Sequence, residues 1–270
     1  MIYILSLIAL SIITIIIGRV SLAIRFNNQV KELFSNSKNI TKKAFSYKEL
    51  TGLPEPLQRY FKHVLKDGQP YTSYVRLTHD GFFKLSQSKE WVTIKGEQYF
   101  TTENPGFIWK GTTSMFVARD MYIADKGRLI ATLFSLYNVV DAKGENYNEG
   151  ELQRWLAESI WFPTNLLPGN NLQWTAIDSL SAKLTFNYKG QSLIFTVRFN
   201  DAGEITEMET KRYMDATNKQ TWICKMYKYE NRNGMCIPTE AEALWRLKKG
   251  DFSYAKFRVK KIEYDIPERF

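Results

Sequence analysis

From Tyr71 onward, short segments of the chain alternate between apolar and polar residues and are separated by turn signals. Leu184, Phe186 and Tyr188 alternate with polar residues, and Lys189-Gly190 then marks a turn. A period of two residues is typical of strands with one buried face, and closely spaced turn signals are typical of hairpins. We therefore predict a mainly β chain of antiparallel strands.

Similar signals divide the rest of this region. Before residue 140 the turn signals are Asp80-Gly81, Lys95-Gly96, Asn104-Pro105-Gly106 and Asp125-Lys126-Gly127. In the C-terminal part, strands are predicted near 204–213, 218–230, 236–248 and 252–265. A break in the alternation near Lys260-Lys261 predicts a β-bulge. So many consecutive strands must close or curl to protect their edges, which predicts a curved antiparallel sheet, either a half-barrel or an incomplete barrel.

One strong helix signal interrupts the strands, between Asp141 and Pro168. Asn148 predicts the start of this helix through a capping box with Glu151, and Trp161 lies in its predicted last turn. The apolar residues recur three and four positions apart, which makes one face apolar. Because a helix inserted in the middle of a sheet needs a concave face, we predict that it lies across the concave face of the sheet.

A second stripe of the same helix is polar. It carries Glu151, Arg154 and Glu158, whose spacing suits ion pairs along a helix. We interpret this stripe as a salt ladder on the solvated side of the helix, where such pairs contribute little to stability. A catalytic role for the carboxylates is the alternative.

The beginning of the sequence is strongly apolar. An apolar run extends from Ile2 to Ile17 and resumes after Gly18-Arg19 until Ile24. Continued to Ile24, with Arg19 reaching toward the membrane surface, the run covers the ~30 Å hydrocarbon core of a bilayer at ~1.5 Å per residue. We predict one transmembrane helix over residues 1–26. A cleaved signal peptide is the alternative, because Ser21-Leu22-Ala23 resembles a cleavage site.

The remaining chain is divided by composition. Residues 27–50 are polar and predict a helical stalk that continues into a linker. Residues 51–270 contain no linker-like stretch, so we treat them as a single β-rich domain. The basic residues that follow the apolar run favour a cytoplasmic domain by the positive-inside bias, which large folded domains can override.

Composition excludes several classes of function. With 44% hydrophobic and 14% aromatic residues, the 270-residue chain can bury a substantial core. The net charge of +9 is not concentrated in one basic stripe, so we expect a lipid bilayer rather than nucleic acid as partner. No phosphate-binding loop and no hydrolase or zinc-protease motif is found. With two histidines and two cysteines, we expect no metal site and no cofactor.

One predicted strand carries a charged pair. Along it, Asp120 and Tyr122 share a face, whereas Arg119 points to the opposite side. A charge on the concave side would need a partner, which makes Asp120 or Arg119 a candidate; the alternative is a surface ion pair between strands. The aromatic candidates for ligand contact, which are otherwise core residues, are Trp109, Trp155, Trp161 and Phe162.

Several motifs occur together after residue 50. They are L-P-E-P-x-x-R-Y at 53–60, P-G-F-I-W at 105–109, A-R-D-M-Y at 118–122, the long E-G-E-L-Q-R-W segment at 149–168, and shorter motifs at 202–205, 237–245 and 262–265. This set resembles an uncharacterised bacterial family of membrane-anchored proteins with a domain of unknown function. The resemblance implies a fold similar to the half-barrel of periplasmic lipoprotein carriers, which shield acyl chains, and an extracytoplasmic domain. It implies no catalytic residue.

Three functions follow from these observations. The leading hypothesis is a membrane-anchored module that binds a lipid, an acyl chain or another apolar ligand. The first alternative is an enzyme that uses the neighbourhood of Arg119, Asp120 and Glu158 on a membrane-associated substrate, and the second is a fully packed structural or interaction domain. A cavity of at least ~300 Å³ with aromatic walls favours binding, convergent polar groups with shifted pKa values favour catalysis, and a solid interior favours the structural role. The oligomeric state is not predicted.

Overall fold

The computed structural model describes residues 2–37, 39–215 and 217–270. The described helices are α1 (Ile2–Ser35), α2 (Glu55–Val64) and α3 (Glu145–Glu158), with short 3-10 turns at Tyr47–Leu50, Ser159–Trp161 and Pro163–Leu166. The described strands are β1 (Tyr74–Phe83), β2 (Val92–Thr101), β3 (Gly106–Thr112), β4 (Phe116–Ile123), β5 (Lys126–Leu133), β6 (Tyr137–Lys143), β7 (Leu172–Asp178), β8 (Ser181–Tyr188), β9 (Gln191–Phe199), β10 (Ile205–Tyr213), β11 (Lys219–Arg232), β12 (Met235–Leu247) and β13 (Gly250–Tyr264).

All of these strands belong to one antiparallel sheet. Its order is β6-β5-β4-β3-β2-β1-β13-β12-β11-β10-β9-β8-β7, so β6 and β7 form the two free edges. Helix α3 contacts both β5 and β10, which have seven strands between them, and the sheet must therefore curve strongly around the helix. The predicted open, curved antiparallel sheet with one helix across its concave face is confirmed.

A β-bulge marks the central strand pair of this sheet. Thr78 of β1 pairs with Lys261 of β13, whereas the next residue, His79, pairs with Val259. Lys260 is thus the extra residue, at the position where the sequence pattern predicted a bulge. Because a bulge increases the local twist, this one helps a long strand to curl.

Two predicted turns are wrong. Asp80-Gly81 and Lys95-Gly96 lie inside β1 and β2, where Asp80 pairs with Lys95 across the ladder. Both glycines are required for close approach: a Cβ on Gly96 would lie 1.8 Å from Nε2 of His79, and one on Gly81 would lie 2.0 Å from the carbonyl oxygen of Lys256. Glycine inside a strand therefore marks tight packing here and not a turn.

Helix α3 begins three residues before its predicted start. Gly144, with a φ of 122°, is its N-cap residue, and the predicted capping box at Asn148 is wrong. The side chain of Asn148 instead accepts a hydrogen bond from the backbone N–H of Gly127 at 2.7 Å. Asn148 thus connects the first turns of α3 to the beginning of β5. At its other end the helix continues as a 3-10 turn to Trp161, so the predicted end is confirmed.

The main core lies between the concave face and the helices. The apolar face of α3, represented by Leu152 and Trp155, packs there with Leu57 and Phe61 of α2. A second core lies on the convex face, where buried residues of α1 pack against β1 to β5. Its members are Phe26, Val30, Leu33, Phe34, Tyr74, Tyr99, Ile108, Met121, Ile123 and Ile130. The C-terminal third of α1 is therefore part of the folded domain.

The N-terminal part of α1 has a different environment. Its apolar side chains, such as Leu10 and Ile16, are exposed. By length and composition, α1 is the one helix in the described residues that is able to cross a membrane.

Candidate functional site

A cleft lies between α3 and the concave face of the sheet. Its volume is about 270 Å³, and its lining comes from α3 and from strands on both sides of the sheet. One wall is aromatic and the other carries charged side chains.

The aromatic wall is contributed by β1, β3, β11, β12, β13 and the turn after α3. It consists of Phe83, Trp109, Trp161, Trp222, Trp245, Tyr254 and Phe257. The indole N–H of Trp161 donates to the carbonyl oxygen of Pro238 at 3.2 Å, and that of Trp222 donates to the hydroxyl of Tyr254 at 2.9 Å. Because these N–H groups are already paired, the rings offer carbon surface to the cleft.

Small side chains make the room for the cleft. Ala118 of β4, Ala241 and Ala243 of β12, and Ala255 of β13 all line it. Ala243 and Ala255 pair with each other across β12 and β13, so two small side chains lie side by side on the lining. A larger residue at one of these positions would fill part of the cavity.

His79 contacts two rings of the aromatic wall, Trp109 and Phe257. It is buried, its Nε2 accepts the indole N–H of Trp109 at 2.8 Å, and its ring stacks on Phe257 with centroids 4.0 Å apart. The pKa of His79 is lowered to about 3, mainly by burial and also by the positive charge of Arg154. His79 is therefore a neutral hydrogen-bond acceptor at neutral pH. The sequence around His79 predicted only a turn and gave no sign of this role.

The charged wall is centred on Arg154 of α3. Its guanidinium forms ion pairs with Asp120 of β4 and with Glu158, the latter at 2.9 Å, and lies 4.8 Å from the ring centroid of Trp109. Gln98 of β2 donates to the second oxygen of Glu158 at 2.6 Å. These contacts hold the carboxylates and the guanidinium in one fixed arrangement.

A second arginine approaches the same cluster from β10. Arg212 donates to the carbonyl oxygen of Gly150 at 3.0 Å and forms an ion pair with Glu151 at 3.4 Å. We call the five residues Asp120, Glu151, Arg154, Glu158 and Arg212 the charge cluster. All five line the cleft.

The interpretation of the polar stripe on α3 as a solvated ladder is wrong. Only 8% of Arg154 and 4% of Glu151 are exposed. The reason is the curvature of the sheet, which surrounds α3 so that its polar face is enclosed as well as its apolar face. The spacing of the stripe was visible in the sequence, but its burial depends on the opposite strands.

Burial raises the pKa values of the carboxyl groups in the charge cluster. It raises the pKa of Glu151 to about 8, and the negative charge of Asp120 acts in the same direction. Burial also raises the pKa of Asp120 and of Glu158, with Arg154 opposing both shifts. Three carboxyl groups thus face two guanidinium groups, and a proton on Glu151 balances the charge at neutral pH.

Two oxygen atoms of the cluster are left without partners. Oδ1 of Asp120 and Oε2 of Glu151 are buried and form no hydrogen bond with any described residue. Buried polar atoms are nearly always paired, and both of these residues line the cleft. The arrangement can therefore receive a polar group of a ligand. In the described part of the chain, no cluster of His, Cys, Asp and Glu is suited to hold a metal ion.

Three of the predicted site residues line the cleft: Trp109, Asp120 and Trp161. Tyr122 shares the concave face with Asp120, as the strand pattern predicted, but it is fully buried in the core. Arg119 points to the convex face, where it donates to the side-chain oxygen of Gln29 of α1 at 2.8 Å.

The two other predicted residues belong to the core beside the cleft. The indole of Trp155 donates to the carbonyl oxygen of Thr101 at 2.9 Å, and its ring packs on Phe186. Phe162 packs on Phe100 with ring centroids 5.0 Å apart. The structure therefore brings Asp120 and Glu158 together through Arg154 and places Arg119 on the other face of the sheet.

Comparisons with known proteins place the chain in a family and find two similar solved structures. A family model described as "Family of unknown function (DUF6544)" matches residues 43–257. A solved LolA superfamily protein from Nitrosomonas europaea is similar with a TM-score of 0.44 and 10% identity, over 78% of this chain and 92% of that one. A domain from Vibrio parahaemolyticus, described as an outer membrane lipoprotein-sorting protein, is similar with a TM-score of 0.40 and 9% identity, over 71% and 85%.

Both solved structures are of the class that the sequence motifs resembled. No curated protein matches the sequence. Because both TM-scores are below 0.5, what this chain does has to be inferred from its own geometry.

Proposed function

Because the chain belongs to DUF6544, a family of unknown function, we propose its function from the cleft itself. The protein is a membrane-anchored binding module for one amphipathic molecule, whose apolar part lies on the aromatic wall and whose polar group meets the charge cluster. The observation that carries this proposal is the two-sided lining of the cleft, aromatic on one side and charged on the other. The cleft also argues against the fully packed structural domain.

The size of the cleft limits the apolar part of the ligand. Its volume of about 270 Å³ lies just below the ~300 Å³ at which the usual range of ligand pockets begins. The cleft therefore suits a segment of one acyl chain or a compact ring system better than a complete lipid with two chains. Contact with the aromatic rings removes this apolar surface from water, which is the main source of affinity.

The charge cluster selects the polar part of the ligand. Both guanidinium groups already pair with carboxylates, while Asp120 and Glu151 each keep one unpaired oxygen. A hydroxyl or amino group both donates and accepts hydrogen bonds, so it can donate to the free oxygen of Asp120 and accept the proton that Glu151 carries. A free phosphate or carboxylate cannot donate to the Asp120 oxygen, and both guanidinium groups are already paired. The preferred ligand is therefore an apolar molecule with a hydroxyl or amino group.

The proposal includes an anchor. We propose that α1 crosses the cell membrane once with its apolar part, within residues 1–26. Residues 27–50 lead from this span to the domain over 51–270 and pack on it, through Val30 and Leu33 on the convex face and through Phe45 and Leu50 in the main core. The basic residues after the span favour a cytoplasmic domain, whereas the family resemblance favours the opposite side. Protease added to sealed cells distinguishes the two sides, because it degrades only a domain that faces outward.

The binding proposal is tested by filling the cleft. Ala241→Phe adds a ring to the lining, and full-length protein in mild detergent should then bind a fluorescent long-chain alcohol at least about tenfold more weakly, a loss of about 1.4 kcal/mol in binding free energy. Ala176→Phe adds the same ring on the exposed face of edge strand β7 and should leave the affinity unchanged. Equal affinities of both variants and the wild type, or no uptake by the wild type, would refute the proposal.

Catalysis is the second candidate, and the protonation of Glu151 favours it. A carboxyl group with a pKa of about 8 in a cleft is suited to general acid–base chemistry, and Asp120 lies in the same cluster. Purified protein incubated with a total membrane lipid extract should then generate new products that mass spectrometry detects, and Glu151→Gln should abolish them. An unchanged lipid profile with the wild type leaves binding as the function.

A further inference from the structure

An apolar surface outside the cleft lies at one edge of the sheet. It is made by the β5–β6 turn, the beginning of β6 and the neighbouring β3–β4 turn. Its exposed residues are Met115, Phe134, Leu136, Tyr137, Val139 and Val140, and we call them the hairpin patch. Tyr137 is 71% exposed, although most aromatic side chains of this chain are buried. Contiguous exposed apolar residues of this kind indicate an interaction surface.

The backbone holds this patch in a defined shape. The N–H of Phe134 donates to the carbonyl oxygen of Met115 at 2.9 Å, so the two turns form one unit. Phe134 and Ser135 have φ values of 50° and 63°, in the left-handed region that glycine and asparagine normally occupy in such turns. A phenylalanine at this position costs backbone energy, so the needs of the turn do not account for it.

The hairpin patch is continuous with the apolar part of α1. The β5–β6 turn touches this helix at Gly18, where a Cβ would lie 2.6 Å from the carbonyl oxygen of Ser135 and 2.7 Å from a side-chain carbon of Leu136. Gly18 precedes Ile24, the end of the apolar run, by six residues. At ~1.5 Å per residue, the turn reaches about 9 Å along the helix into the apolar segment. Interfacial elements insert to a similar depth of ~5–10 Å.

We propose that the hairpin patch inserts into the bilayer leaflet next to the domain, with lipid acyl chains as its partner. This inference rests on the proposed membrane anchor α1, which brings the patch to the leaflet. The patch gives the domain a second attachment point, so that the domain has a fixed orientation on the membrane. Its occupant is the acyl region of the leaflet and not another protein, because the neighbouring surface of α1 is itself apolar and exposed.

The orientation has a consequence for the cleft. Phe116, the residue after Met115, lies 6.3 Å from Phe83 between ring centroids, and Phe83 lies 6.1 Å from Tyr254 of the aromatic wall. A row of aromatic rings thus connects the hairpin patch to the cleft. Insertion of the patch would therefore place this row of rings between the leaflet and the cleft.

Depth measurements on the full-length protein test the insertion. Both native cysteines are replaced by serine, and one environment-sensitive fluorophore is attached to a new cysteine in place of Ile12, Tyr137, Val139 or Asp201, each in its own variant. The proteins are placed in vesicles that contain lipids with a quencher on the acyl chain. Ile12 lies on the exposed part of α1, and Asp201 lies in the exposed β9–β10 turn, so these two positions report the anchor and the aqueous side.

The expected result is quenching by the acyl-chain quencher at Ile12, Tyr137 and Val139, and quenching by iodide in water at Asp201. Quenching at Ile12 combined with iodide quenching at both hairpin positions would overturn the insertion while the anchor stands. Protection of Tyr137 and Val139 from both quenchers would also overturn it and would indicate a second copy of the chain on the patch. Absence of lipid quenching at Ile12 would refute the anchor, and the insertion with it.

Discussion

Arg154 is the residue on which the charge cluster depends. Its guanidinium is the partner of two buried carboxylates, Asp120 and Glu158. Arg154→Ala leaves both without a counter-charge, and removal of one partner from a buried ion pair typically costs about 3–5 kcal/mol. We expect a loss of this size in the free energy of unfolding, measured with denaturant on the full-length protein in detergent.

Arg198→Ala is the matched control. Arg198 pairs with Glu207 on an exposed face, so its removal should cost less than about 1 kcal/mol. If both variants lose equally little, the cluster is hydrated and the enclosed geometry of the cleft is wrong.

Glu151 makes stability depend on pH. Its pKa is about 8 in the folded protein and near 4.5 in the unfolded chain, so between these values the folded state keeps a proton that the unfolded state has released. The free energy of unfolding should therefore fall as the pH rises from about 4.5 to about 8. The raised pKa values of Asp120 and Glu158 act with the same sign.

Glu151→Gln should make this fall shallower, which thermal unfolding at a series of pH values measures. Glu149→Gln, whose carboxylate pairs with Lys219 near the surface, should keep the slope of the wild type. An unchanged slope in Glu151→Gln would show that this carboxyl group is ionised and solvated in the folded state.

The residues of the site illustrate what a sequence pattern can and cannot predict. Alternation along β4 correctly placed Asp120 and Tyr122 on one face and Arg119 on the other. The spacing along α3 identified the Arg154–Glu158 ion pair, whereas Glu151 pairs with Arg212 of β10 instead. A helical period also does not tell which side of a helix is enclosed. That depends on β4 and β10, which reach the helix only through the curvature of the sheet.

Among the elements, helix α1 has two parts with different surroundings: its C-terminal part packs on the sheet, and its N-terminal part is exposed. Leu33, which is 1% exposed, packs on the convex face, whereas Ile24 is 56% exposed nine residues earlier. Leu33→Ala should destabilise the domain by about 2–5 kcal/mol, as truncation of a buried leucine does. Ile24→Ala should leave domain unfolding unchanged when tryptophan fluorescence follows it. Equal effects of the two substitutions would mean that α1 does not pack on the sheet.

The wrong predictions of turns and of the helix start have a common cause. Gly81, Gly96 and Asn148 are typical of turns and helix starts, and here each makes room for or binds a distant segment. The ring of His79 lies where a side chain on Gly96 would be. The side chain of Asn148 accepts a hydrogen bond from the backbone N–H of Gly127 in β5. These partners are distant in the sequence, so the neighbouring residues do not predict them. The alternation of apolar and polar residues along the strands was sufficient to predict most of the sheet.

In the whole molecule, the two faces of one sheet pack against different helices. Its convex face packs on α1, and its concave face surrounds α3 and leaves the cleft. The antiparallel order follows chain order except where β1 pairs with β13, which joins the two ends of the series. The number of strands and the need to protect their edges predicted this curvature, but the volume left beside α3 depends on the alanines of β4, β12 and β13.

The central claim is that an apolar molecule occupies this cleft. Its most direct test is photo-crosslinking of the full-length protein in membranes that contain a long-chain alcohol with a photoactivatable acyl chain, followed by mapping of the adducts by mass spectrometry. We expect adducts on the aromatic wall, at Trp109, Trp161 and Tyr254, that are lost in Ala241→Phe and kept in Ala176→Phe. Adducts confined to α1 and the hairpin patch, with none on the aromatic wall, would contradict it.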